Sequence, residues 1–204
     1  MAVCRTEVNF SPRPPFRLID SGYSFADLME NPPVNIDAQD RAAVVLVHAG
    51  VKPAARMWLH GWNGAARHLE ESQEATAADL LWIGNLRNSK LFRRRSKFFE
   101  IGFQVARERR LLARLDQASE EETGFALGYP KTAVHAHNQG LKGELDDFLM
   151  TSDEIMSAYG QLAPFALFRP SRAHWQEEMT VVRKWADTIK RVTPGLYKEM
   201  LGSV

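Results

Sequence analysis

With 204 residues and 26 Lys and Arg against 25 Asp and Glu, the chain has a net charge of +1, so no global field draws it to nucleic acid or an anionic membrane. Its one cysteine, Cys4, excludes an intrachain disulfide framework and a cysteine-based zinc site. The longest apolar run, Ala42–Val47, falls far short of the roughly 20 residues a membrane helix needs, and no apolar stretch follows a basic start at Met1. A cytoplasmic protein without a signal or membrane partner is expected.

Ser11–Pro15 and Asn31-Pro32-Pro33 suit neither a helix interior nor a central strand, because proline fixes φ and lacks a donor. Residues 1–39 therefore read as a proline-rich arm and residues 40–204 as a single domain. The arm's Phe16, Leu18, Phe25, Leu28 and Met29 are costly to leave in water, which favours packing against the domain. Asp40–Ala49, ending at Gly50, suits either a buried helix closed by a glycine or a short buried strand, and its periodicity does not separate the two.

Arg56–Trp62, Lys97–Gln104 and Pro164–Arg169 read as strands. In the second, Phe99, Ile101 and Phe103 alternate with Phe98, Glu100 and Gly102, as on a half-buried strand. Helical spacing follows over Val105–Asp116, and again from Ser171 onward, where Trp175, Met179, Val182, Ala186 and Ile189 recur until Thr193-Pro194-Gly195. The expected fold is α+β, helix-rich overall, with a small sheet of about three or four strands.

Charge is segregated: Arg87 to Arg114 is strongly basic and is flanked by acidic clusters at Glu70–Asp79 and Asp116–Glu122, a pattern that a solvated surface of mixed sign explains. Between Ser119 and Gln139 two short helices are expected. Ser119 with Glu122 forms a capping-box pattern, Gly128 suits a left-handed helix end, and Pro130 suits the first turn of the next helix. Helix, glycine turn and helix is also the outline of a DNA-reading helix-turn-helix, in which Lys131, Thr132, His135 and Asn138 would face a groove.

The run Gly124-Phe125-Ala126-Leu127-Gly128-Tyr129-Pro130 followed by Val134 resembles the H-E-x-G-x-x-L-G-Y-P-x-x-x-V motif of a family of uncharacterised proteins, known mostly from anaerobic Gram-positive bacteria. Ahead of it, His48-Ala49-Gly50-Val51-Lys52-Pro53-Ala54 resembles the same family's L-A-G-[IV]-K-P-A segment, in the same order. The chain departs from the pattern where the family's histidine is Glu121 and an acidic residue is Ala133. The resemblance implies an architecture and a site at the two motif loops, and no reaction.

From those loops Lys52, Glu122 and Tyr129 are the candidate ligand-binding residues, since a lysine beside a glycine turn can hold a carboxylate or phosphate. Glu108, set among Val105, Leu111, Leu112 and Leu115, is a candidate half-buried carboxylate for acid–base work or a residue of the helix's first turn. His135 and His137 lie two residues apart and do not make a helical metal pair, so no metal site is expected. Phosphate-loop, dinucleotide-binding and nucleophile-elbow motifs are absent, and the sequence leaves the cofactor unknown. The expected function is that of a non-enzymatic ligand-binding or regulatory domain with a small ligand or protein as partner. A helix-turn-helix regulator bound to DNA is the alternative, and an enzyme of unknown reaction the third reading.

Overall fold

The computed structural model describes residues 25–31, 36–58, 89–95 and 99–202. Among these, helices predominate and one small antiparallel sheet accompanies them, a helix-rich α+β arrangement.

Helix α1 (Phe25–Glu30) leads to α2 (Ala38–His48), whose N-terminus is capped by Asp37: its carboxylate accepts from the Asp40 amide at 2.7 Å. Every residue from Arg41 to Val47 is buried. A helix covered on all sides has no polar stripe, so its sequence lacks the helical period that distinguishes a helix from a strand. Gly50, at φ +75°, closes it, and the Val51 and Lys52 amides both donate to the Leu46 carbonyl, at 2.9 and 3.0 Å. This pair of bonds from loop to helix sets the position of Lys52.

The sheet comprises β1 (Ala54–Trp58), β2 (Ser89–Arg95) and β3 (Phe99–Ala106) in the order β1-β3-β2, with Met57 opposite Phe103 and Arg56 opposite Gln104. The expected strand Arg56–Trp62 is β1 as far as Trp58, and its remainder lies outside the described residues, as do Lys97 and Phe98 of the second. Pro164–Arg169 is not a strand. Gly160–Phe165 is a 3-10 helix with Pro164 inside it, since Pro164 and Pro170 lack the amides that a ladder would require. The sheet therefore has fewer of the expected strands, although Ser89–Arg95 adds one that its basic composition does not announce. Nor is β3 half-buried at its end: Phe103, Gln104, Val105 and Ala106 are all buried, because a second apolar cluster covers the face opposite the main core.

Helices α3 (Arg109–Leu115), α4 (Glu120–Ala126), α5 (Lys131–Gly140), α6 (Leu145–Phe148) and α7 (Ser152–Tyr159) follow. Val105, expected to open a helix, instead belongs to β3. The 18-residue α8 (Trp175–Val192) buries Glu178, Val182, Trp185, Ala186, Thr188 and Ile189, and α9 (Pro194–Gly202) begins with proline in its first turn.

The main core unites α2, β1, β3, the 3-10 helix, α8 and α9; Ala54, Ala106, Leu112, Leu115 and Leu127 form the smaller cluster. Met29 and Ile36, from the expected arm, lie in the main core, and the Glu30 carboxylate accepts from the Gly195 amide at 2.8 Å. Among the described residues no helix is long and apolar enough to cross a membrane.

Candidate functional site

Two loops distant in sequence meet beside β1. Gly128 has φ +74°, and a Cβ there would lie 2.6 Å from Pro53 Cδ, so only glycine permits both the turn and the contact. A turn earlier, a Cβ at Gly124 would lie 2.8 Å from Val134 Cγ2, so its absence lets α4 and α5 cross closely. The capping box at α4 is complete: the Ser119 amide donates to Glu122 Oε2 at 2.8 Å and the Glu122 amide to Ser119 Oγ at 3.2 Å. These devices bring Tyr129 against Lys52.

Lys52 is 2 % exposed, and its Nζ lies 4.5 Å from the ring centroid of Tyr129 and 4.6 Å from that of Trp185 on α8. Neither the ammonium nor the Tyr129 hydroxyl makes a hydrogen bond or ion pair among the described residues. Loss of hydration pushes the Lys52 ammonium down to about 7. The two ring faces favour the charged form and oppose that shift. Burial, then the Asp40 carboxylate, pushes the Tyr129 phenol up, while Arg56 draws it down. The phenol therefore stays neutral and able to donate.

Both residues line a cleft of about 630 Å³. Asp40 and Ala43 of α2, Arg56 of β1, Ile155 and Met156 of α7, and the segment Ala166–Arg169 form its walls. Arg169 is anchored on the rim by Asp146 and by the Met150 carbonyl, and Arg56 is held by the Leu115 carbonyl and, with the Gln104 amide turned toward it, by the Gln104 oxygen at 3.1 and 3.2 Å. A hollow that sets charged and hydroxyl side chains beside apolar walls has the character of a small-molecule site. No family model, curated protein or solved structure matches the chain.

Of the candidate ligand residues, Lys52 and Tyr129 come together and Glu122 does not. Glu122 is an exposed capping residue whose carboxyl the Ser119 amide holds below the usual range. Glu108 is not half-buried, nor does it lie in the helix's first turn: it stands one residue ahead, at the N-cap of α3, exposed, without a side-chain capping bond and paired with Arg110. Trp185, the second ring over Lys52, is a site residue that sequence reasoning misses, since its spacing from Val182 and Ile189 places it on the apolar face of α8 and marks it only as core.

The candidate DNA-contacting residues are divided. The Thr132 hydroxyl donates to Glu178 Oε1 at 2.5 Å, and the Asn138 amide nitrogen is buried. Lys131 and His135 face outward, with His135 Nδ1 3.1 Å from Glu121 beside the acidic first turn of α4. Among the described residues no cluster of His, Cys, Asp and Glu is arranged to hold a metal ion.

Proposed function

We propose that this is a ligand-binding domain that takes a small organic anion into the cleft between α2, α7 and the 166–169 segment. The observation that carries the reading is Lys52: a buried amine without a hydrogen-bonding partner among the described residues, at the wall of a hollow that a ligand can enter. Burying a lysine is costly, and a carboxylate brought to it would both satisfy the ammonium and restore its proton. With Lys52, Arg56 and Arg169 set three cations on the cleft walls against the one carboxylate of Asp40, and Tyr129 supplies a neutral donor. The two motif loops that resemble the uncharacterised bacterial family converge on this cleft, which supports a shared binding role. A DNA-reading role finds less support, because Thr132 is engaged with Glu178 and the exposed side of the α4–α5 corner carries Glu120 and Glu121.

The test is thermal unfolding with increasing acetate and benzoate at pH 6.5 and pH 9.5, with chloride to match ionic strength. An anion held by the Lys52 ammonium raises the midpoint at pH 6.5 and by much less at pH 9.5, where the amine has lost its proton. Lys52→Met removes the effect at both. Equal midpoints with and without carboxylate at pH 6.5 would overturn the reading.

A further inference from the structure

The geometry points to Lys52 as a carbonyl-reactive amine that condenses with a 2-oxo acid in the cleft to form an imine. This rests on the anion-binding reading and specifies the ligand. Three features of the site support it. The first is position: Lys52 is buried from bulk solvent yet is one of the residues that line the cleft, and among the described residues no carboxylate holds its amine as a permanent ammonium. Since only an amine without its proton attacks a carbonyl carbon, a desolvated lysine is the residue type suited to this step.

The second feature is what flanks the nitrogen. The faces of Tyr129 and Trp185 stand 4.5 and 4.6 Å from Nζ, and an iminium carries its positive charge at the same nitrogen. The rings therefore favour the charged product as they favour an ammonium. Their apolar surroundings also keep out the bulk water that would hydrolyse it. The third is the fit of the cleft to the acid group: Arg56 and Arg169 line the walls and can attract a carboxylate while Lys52 bonds to the neighbouring carbon. A 2-oxo acid places carboxylate and carbonyl on adjacent atoms, as that arrangement requires.

The step balances without an outside redox partner. The neutral amine forms the N–C bond and passes one of its two protons to the carbonyl oxygen; the carbinolamine then loses that oxygen as water, taking a second proton from a general acid, as the C=N bond forms and leaves an iminium with one proton on nitrogen. The phenol of Tyr129, neutral and on the same cleft wall as the amine, is assigned to assist the departure of water.

The experiment is incubation of the full chain with pyruvate and sodium cyanoborohydride at pH 7.5, followed by intact mass measurement and peptide mapping. Hydride from the reductant converts the imine into a stable carboxyethyl amine. The expected result is one adduct per chain, mapped to Lys52, forming at least about tenfold faster than at any surface lysine and absent in Lys52→Met. Tyr129→Phe keeps the ring and slows adduct formation. Modification spread over surface lysines at the same rate in wild type and Lys52→Met would overturn the inference. Acetate protection without a Lys52 adduct defeats the imine and leaves the anion site standing, whereas absence of both defeats the two readings together.

Discussion

Lys52 concentrates the energetic tension of the molecule. Its proton is held less tightly in the folded chain, near 7, than at the ordinary lysine value of 10.5. Between these values the unfolded chain binds a proton that the folded chain does not, so stability rises with pH across that window. Below about pH 7 both states are protonated and the full cost persists. Lys52→Met, similar in length and apolar, is expected to be more stable than wild type at pH 6.5, with the difference shrinking towards pH 10. Urea denaturation at the two pH values checks this, and a difference that does not change with pH would refute it. A residue that weakens the fold yet lines a cleft is what the proposed binding role requires. Lys52 and Tyr129 are legible as candidates in the sequence because each follows a glycine turn. Trp185 is not, since a tryptophan on the apolar face of a long helix reads as core, which it also is.

At the scale of elements, the helix–turn–helix segment is the most legible stretch of the chain. Its determinants are local: a hydroxyl and a carboxylate three residues apart, a glycine with positive φ, and a proline ahead of the second helix. What this corner packs against is not legible, because Gly128 is required as much by Pro53 as by its own turn. Gly128→Ala meets both constraints at once. It is expected to destabilise by about 2–4 kcal/mol, combining left-handed strain with the contact, and to weaken acetate protection by displacing Tyr129 from Lys52. Denaturation and the thermal assay with this variant test the two effects separately. The 164–169 segment shows the opposite case: its apolar residues suggest a strand, but a strand needs a partner edge and amides to offer it, and two prolines withhold them.

Across the whole molecule, Arg41 joins the segment expected as an arm to the domain. Only 3 % exposed, it donates to the Met29 carbonyl at 2.8 Å and makes a two-pronged pair with Glu199, tying α1, α2 and α9 together. Arg41→Ala removes a buried cation and its packing and leaves the Met29 carbonyl without that donor. A loss of about 2–4 kcal/mol is expected, with a smaller loss for Glu199→Gln, whose side chain is half exposed. Measured denaturation midpoints for the two variants decide it: equal losses would show that the arginine acts only through its surface partner.

The sequence by itself determined the features that depend on neighbours along the chain: the caps, the glycine turns, the long amphipathic α8, and a helix-rich α+β composition. It also marked Lys52 and Tyr129, because the loops that carry them have local signatures. Only the tertiary structure decided that these two loops touch, that Trp185 closes over the amine, that Glu122 serves a helix end and stays outside the cleft, and that Arg41 binds the N-terminal segment into the core. The physical reason is that capping and turn chemistry act over three or four residues, whereas desolvation of a charge depends on every element packed around it.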